Sequence, residues 1–256
     1  MLNPRQNEIL KGVVELYTQS ALPVGSQGLL DYYHFKVSSA TLRNDLAALE
    51  EAGLLYQPHT SAGRIPTTQG YRIYVEDIMG EELLTKGEQQ RLQTEVLMMK
   101  AKQARTGRTT AKLLSALSGN LAVTGAFDQN EFHDFGMSEL IDNPEFQSID
   151  ELCQLVETLD SLDERLEGIL GDLRSDETRI YIGEENPIRE ISNCSMIVAP
   201  YENSEGRGIL ASIGPKRMHY AKNRSLLEYV QRLLSDNQKL LKNVVVLVGS
   251  GGVIIL

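Results

Sequence analysis

Two adjacent polar residues, Arg43 and Asn44, carry side chains that can read base pairs in double-stranded DNA. A guanidinium can pair bidentately with the major-groove edge of guanine, and a carboxamide can do the same with adenine. Just before them, Ser38, Ser39 and Thr41 supply hydroxyl groups at the start of a predicted helix, where phosphate binds well. These residue types in this order indicate a DNA contact surface.

The element that must position these residues is a helix with one apolar face. Leu42, Leu46 and Leu49 stand at i, i+4 and i+7, which predicts a helix from Ser38 to about Ala52 whose leucine face is core. The residues left on the outer face are Ser39, Ala40, Arg43, Asn44 and Ala47.

The surrounding pattern is that of a winged helix-turn-helix. Two helices are predicted before this one, ending near Gln19 and near Tyr33, and a fourth is predicted to begin near Thr67. Between the third and fourth helices, residues 54–56 and 63–66 read as a two-stranded ribbon around a polar loop. The wing residues predicted to reach a neighbouring backbone or the minor groove are His59, Thr60, Ser61 and Arg64.

Each of these residues also has an interpretation without DNA. Arg43 can be a surface charge, Asn44 a solvated helix residue, and Thr41 a partner of its own backbone. Taken together they favour sequence-specific DNA binding. The alternative function is a protein-interaction adaptor that uses the winged helix as a docking surface, which the near-neutral balance of residues 1–80 supports, with six basic against eight acidic side chains.

Composition narrows the class of protein. The 256 residues carry a net charge of −10, and residues 128–190 alone hold nineteen acidic against four basic side chains. This charge distribution excludes a protein that coats nucleic acid with a basic surface. For the acidic stretch 128–190, a solvated helical surface is favoured over a docking site for a basic partner. We expect a cytoplasmic protein with no membrane contact, since there is no run of 18 apolar residues and no apolar signal region at the N-terminus.

The rest of the chain alternates between helix and strand patterns. A long helix over 85–118, interrupted near 106–108, either packs on its own domain or pairs with a second copy in a dimer. Further helices are predicted over 148–173 and 222–239. The predicted strands are 179–182, 194–198 and 208–213, with a hairpin over 244–256.

No residue constellation typical of an enzyme is found. Cys153 and Cys194 lie in apolar patterns and are expected to be buried and inert. None of the four histidines has a carboxylate or a second histidine at metal-ligand spacing. We therefore expect no catalytic residue, no metal and no cofactor.

Long stretches of the sequence resemble the heat-inducible transcription repressor (HrcA) family, over about two thirds of the chain. The motifs that carry the resemblance are residues 37–46, 49–55, 57–67 and 70–72, and downstream 182–187, 194–195, 199–201 and 214–221, with a weaker match at 142–146. The resemblance implies a repressor of heat-shock and chaperone genes that binds an inverted-repeat operator as a homodimer. It also implies chaperonin as a partner, and DNA contacts at Ser39, Thr41, Arg43, Asn44 and the four wing residues.

The resemblance also organises the chain. It implies an α+β protein with a winged helix-turn-helix domain over 1–80, a helical linker over 81–127 and a GAF-like α+β domain over 128–256. This chain departs from the family pattern after Val123, where a long strand-rich segment with a dimerisation insert is absent. We therefore expect a shortened member with a reduced GAF-like sheet.

Overall fold

A computed structural model of the chain describes residues 2–33, 35, 37–101, 106–141, 153, 156–159, 161–235, 246–249 and 252–255. The motif at 142–146 and the beginning of the predicted helix 148–173 lie outside the described residues. No helix within these ranges is both long enough and apolar enough to cross a membrane.

The N-terminal part has the predicted order of three helices, a two-stranded ribbon and a fourth helix. The elements are α1 (Pro4–Ser20), α2 (Ser26–Tyr33), α3 (Ser39–Glu51), β1 (Leu55–Tyr56), β2 (Ile65–Pro66) and α4 (Thr68–Ile73), which continues into a π-helical turn (Tyr74–Ile78). The two strands are antiparallel, with Leu55 opposite Pro66. The winged helix-turn-helix plan predicted from the sequence is thus confirmed.

Local sequence signals set the ends of these helices. The Asn3 side chain accepts a hydrogen bond from the Gln6 N–H at 2.9 Å, and the Gln6 Oε1 in turn accepts one from the Asn3 N–H at 3.1 Å. Thr67 caps α4 in the same manner, since its hydroxyl accepts from the Gly70 N–H at 3.0 Å. Gly53 ends the turn after α3 with a φ of +73°, a conformation that costs glycine little.

The C-terminal part is built on a five-stranded antiparallel sheet with helices on both faces. Its strands are β3 (Leu121–Ala126), β4 (Glu131–Phe135), β5 (Arg179–Ile182), β6 (Cys194–Asn203) and β7 (Gly206–Pro215), in the order β4-β3-β7-β6-β5. The helices are α5 (Lys86–Ala101), α6 (Thr106–Ser118), α7 (Met137–Ile141), α8 (Leu162–Gly171) and α9 (Tyr220–Leu234). A separate hairpin pairs β8 (Val246–Gly249) with β9 (Gly252–Ile255), as predicted. The α+β class is confirmed.

Alternation along the strands divides the core into two layers. One face of the sheet, which includes Ile197 and Leu210, packs with α5, α6 and α9 into a core that continues into the winged helix. The other face, which includes Val198 and Ile209, packs with α7 and α8. The winged helix is therefore joined to the sheet through buried apolar side chains and not only through a linker.

The two helices of the predicted linker, α5 and α6, pack within their own chain. Leu92 and Val96 of α5 and Leu113 and Leu114 of α6 are all buried in the core that contains the sheet. Of the two interpretations of this apolar stripe, packing on its own domain is what these four residues show. The range 81–127 also contributes β3 to the sheet, so it is not helical throughout.

Candidate nucleic-acid interface

The third helix turns its leucines inward and its polar pair outward. Leu42 and Leu49 are fully buried and Leu46 is 4% exposed, whereas Arg43 and Asn44 are exposed. Because the leucines anchor one face, the arginine and the amide are presented together on the other. This is the geometry that the leucine spacing predicts, and it exposes two side chains of types that can pair with base edges in a major groove.

The hydroxyl groups at the start of α3 have partners within the chain. Ser38 is the N-cap: its Oγ accepts the Thr41 N–H at 3.2 Å and lies 3.0 Å from the Thr41 Oγ1. The Ser39 Oγ lies 3.0 Å from the Oγ of Ser26 at the start of α2. These hydroxyls therefore fix the helix start. The backbone N–H groups of Ser39 and Ala40, which point out of the first turn, are the groups suited to a phosphate.

Removing this cap gives a measurable change in stability. The Ser38→Ala variant is expected to lower the free energy of unfolding by about 0.5–2 kcal/mol, because the Thr41 N–H loses its acceptor. Urea denaturation measures the difference. Ser38→Asp, which keeps an acceptor at the cap, is the control and should stay close to the parent protein; an equal loss in both variants would contradict the capping role.

The wing is a tight loop whose tip is exposed. His59, Thr60 and Ser61 are all exposed, and Gln57 holds the loop from inside by donating its side-chain N–H groups to the carbonyls of Thr60 at 3.1 Å and Ala62 at 2.7 Å. The three predicted contact residues thus stand at the tip of a braced loop. Gln57 is a positioning residue that the sequence did not single out.

The base of the wing is pinned to the turn between α1 and α2. Val24 and Arg64 exchange both backbone hydrogen bonds, at 2.9 and 2.8 Å. A Cβ atom on Gly63 would stand 2.4 Å from the carbonyl carbon of Val24, so only glycine permits this approach. The wing is therefore held in register with the helices.

Arg64 makes an intrachain ion pair with α3. Its Nε lies 2.8 Å from the Oε2 of Glu50, with the N–H not aligned for a hydrogen bond, and its side chain is 18% exposed. The guanidinium that was predicted to reach DNA thus also joins the wing to α3. A phosphate contact by Arg64 competes with Glu50.

A second ion pair anchors α3 to the first helix. Arg5 donates to both carboxylate oxygens of Asp45, at 2.8 and 3.0 Å, and this hydrogen bonding raises the pKa of the Arg5 guanidinium above its ordinary value. Asp45 is 8% exposed and lies on the leucine face of the helix. The sequence did carry a signal for it, because a carboxylate on a buried face needs a cationic partner.

Arg43 is the one cationic residue of α3. Asp45 and Glu50 of α3 are both matched by arginines, while Arg43 has no carboxylate within ion-pair distance among the residues that the structure describes. Within the described ranges, the charge of Arg43 is therefore not neutralised by a carboxylate. An isolated exposed cation beside an amide suits recognition of a polyanion with base edges.

We next consider metal ligands and cysteine side chains in the described part of the chain. No group of three or more His, Cys, Asp or Glu side chains is placed there to hold a metal ion. Cys194 is buried as expected, but Cys153 is exposed, so the prediction that both cysteines are buried was wrong for Cys153. Apolar residues nearby in the sequence were not sufficient to predict the burial of the Cys153 side chain.

The fold and this surface define a helix-turn-helix protein of the α+β class, and comparisons with known proteins agree. Residues 32–68 match the family model of the DeoR-like helix-turn-helix domain. Residues 75–223, more than half of the chain, match that of the HrcA protein C-terminal domain. The chain therefore belongs to the HrcA family, as the motifs predict.

Relatives named heat-inducible transcription repressor HrcA resemble the chain over most of its length. The protein from Parasynechococcus marenigrum (strain WH8102) is 27% identical over 321 residues, covering 91% of this chain and 98% of the relative. The alignment is 321 residues long, so at least 65 of its positions have no counterpart among these 256 residues. The expectation of a shortened member is confirmed.

Two further similarities concern a shorter stretch of the chain and the fold. The HrcA protein from Arthrobacter sp. (strain FB24) is 46% identical over 123 residues, 48% of this chain and 36% of that protein. A crystal structure described as a hypothetical protein has a TM-score of 0.73 at 20% identity, covering 91% of this chain and 98% of the other. This likeness supports the fold.

Proposed function

We propose that this chain is a sequence-specific DNA-binding repressor of heat-shock and chaperone genes that binds an inverted-repeat operator as a homodimer. The observation that carries the proposal is the exposed pair Arg43 and Asn44, held outward by three buried leucines and not neutralised by any described carboxylate. The names of the relatives, heat-inducible transcription repressors, support the same function.

The proposed DNA contacts divide by chemistry. Arg43 and Asn44 read bases in the major groove, with Ala40 beside them on the outer face. The start of α3, at Ser38, Ser39 and Thr41, receives a phosphate. On the wing, the phosphate or minor-groove contacts are assigned to His59, Thr60, Ser61 and Arg64.

The remaining parts of the proposal follow the family. Residues 1–80 are the DNA-binding domain, 81–127 the helical linker with strand β3 at its end, and 128–256 the rest of the GAF-like domain. Chaperonin is the proposed protein partner of the chain. The proposed site of action is the cytoplasm. Repression then follows from occupation of DNA that polymerase would otherwise use.

Selection from a random duplex library tests this function. The full chain should enrich one inverted-repeat sequence, and its affinity for that duplex should exceed its affinity for a scrambled duplex by about 10³-fold or more. The affinity should also fall steeply as salt rises. Equal affinity for scrambled DNA, or binding without salt dependence, would contradict the proposal and favour the adaptor function.

Arg64 allows a test of the wing contact. Arg64→Ala is expected to weaken binding by a similar factor for matched and scrambled duplexes and to reduce the salt slope by about 1, because a phosphate contact carries no sequence information. Glu50→Gln, which frees the same guanidinium, is the matched variant and should bind at least as tightly as the parent. Weaker binding by Glu50→Gln would show that the ion pair only positions the wing.

A further inference from the structure

The fourth helix is tied to the C-terminal sheet by a polar contact that DNA reading does not explain. Arg72 of α4 donates from Nε to the Oε1 of Glu185 at 3.0 Å, and its Nη2 donates to the other oxygen of the same carboxylate. The same Nη2 donates to the carbonyl of Ile180 in β5 at 2.8 Å. One guanidinium thus joins α4 to an edge strand of the sheet and to the turn that follows that strand.

A second contact lies one helical turn earlier. The Thr68 hydroxyl donates to the Oε2 of Glu184 at 2.6 Å, and Lys216 lies 3.7 Å from the other oxygen of that carboxylate. The Thr68 hydrogen bond holds the pKa of Glu184 below its ordinary value, so this carboxylate is charged at neutral pH. We call Thr68, Arg72, Glu184, Glu185 and Lys216 the interdomain latch.

The turn that carries both glutamates is shaped for this approach. Gly183 has a φ of +58°, and a Cβ atom there would stand 2.8 Å from the Thr68 Oγ1. The glycine therefore lets the turn place two carboxylates against one helix. A surface contact formed by chance would not require a glycine with a positive φ at this position.

Buried aromatic side chains lie beneath the latch. The rings of Tyr71 and Tyr220 are 5.8 Å apart at their centres, and both residues are 2% exposed. The Tyr220 hydroxyl lies 2.7 Å from the Ser195 Oγ in β6, and Arg217 donates to the carbonyl of Thr18 in α1 at 3.2 Å. Helices α1 and α4 are thus both fixed to the sheet domain.

The latch gathers motifs that the DNA surface leaves unused. The downstream stretches 182–187 and 214–221 supply Glu184, Glu185 and Lys216. Contacts over more than 100 residues of sequence bring them to the winged helix. In this structure, these motifs meet the DNA-binding domain.

We propose that Arg72 and Glu185 are positioning residues for DNA recognition, which hold each winged helix at one angle on the sheet domain and so select the spacing between operator half-sites. This rests on the proposed function, since it requires two copies on one inverted repeat. In dimeric helix-turn-helix proteins the separation of the recognition helices sets the half-site spacing. The bidentate Arg–carboxylate pair fixes direction as well as distance, which a lysine cannot do.

The test is binding to a series of duplexes that carry the selected half-sites at different spacings. The parent chain should prefer its best spacing by about 10-fold or more over a spacing changed by half a helical turn, about 5 base pairs. Glu185→Arg, which faces Arg72 with a like charge, should reduce this preference to about threefold or less, while affinity for a single half-site stays within about twofold. The double variant R72E/E185R should restore part of the preference.

Matched variants keep the test sharp. Glu190→Arg places a like charge opposite Arg165 in a more exposed ion pair (2.9 Å), which joins α8 to a turn of the sheet domain. This control variant should leave the spacing preference unchanged. If Glu185→Arg does not fold, Glu185→Gln replaces it, with the same direction of change. The proposed role of the latch would be overturned if the Glu185 variants kept the spacing preference of the parent chain, or if the parent chain had no such preference. Enrichment of a half-site would still support DNA binding in either case. Absence of any enriched sequence would remove the proposed function and the latch with it.

Discussion

Replacing Arg43 with alanine is expected to weaken binding to the selected operator by about 1–3 kcal/mol per half-site and to relax discrimination at one base position. The reason is that Arg43 is exposed on the recognition helix and free of described carboxylate partners, so its donors are available to a guanine. Competition titrations with operators that carry single base changes measure both effects.

The control for this substitution is Arg174→Ala, which removes one exposed cation from the C-terminal part, where its side chain is 86% exposed. It should change the affinity little and leave discrimination intact. Arg43→Lys keeps the charge but loses the fork of donors, so it should retain general affinity and lose base preference. A uniform loss across all sequences with Arg43→Ala would place this residue on the phosphate backbone instead.

The second large effect is expected from Leu42→Ala, which should lower the free energy of unfolding by about 2–5 kcal/mol. Leu42 is fully buried in the core shared by α1 and α3, so truncation leaves a cavity beneath the base-reading face. Urea denaturation followed by circular dichroism measures the loss.

A neighbouring variant separates stability from recognition. Arg43→Ala, one residue along the same helix, should leave the unfolding free energy within about 0.5 kcal/mol of the parent. If Leu42→Ala were equally harmless, the leucine face would not be the anchor of α3, and the outward direction of Arg43 and Asn44 would lose its physical basis.

The winged helix could be predicted from the sequence because its signals are local. Leucines at helical spacing, the caps at Asn3 and Ser38, and Gly53 after α3 each depend on residues within about one or two turns of the chain. The exposure of Arg43 and Asn44 follows from the same pattern. For this part of the molecule, periodicity determines both the core and the candidate site.

Three of the five sheet strands could be predicted from the sequence, but β3 and β4 could not, because these two lack a clear signature. The sequence of β3 contains alanine, threonine and glycine, and the two phenylalanines of β4 stand three positions apart instead of alternating, so neither reads as a regular strand. Their pairing with each other and with β7 supplies the missing order. Part of the predicted linker therefore belongs to the sheet.

The supporting ion pairs could not be predicted because the partners are far apart in sequence. Arg5 and Asp45 are 40 residues apart, and Arg72 and Glu185 are 113 apart. Residue types alone indicate that a buried carboxylate needs a cation, but not which one. The pairing of Arg64 with Glu50 arises in the same manner, from the packing of the wing on α3.

Base-analogue substitution in the selected operator tests most directly whether the third helix reads DNA through Arg43. Each guanine of the half-site is replaced in turn by 7-deazaguanine, which lacks the N7 acceptor that a guanidinium contacts. We expect one position where the parent chain loses affinity and the Arg43→Ala variant does not. The same penalty for parent and variant at every guanine would contradict this expectation.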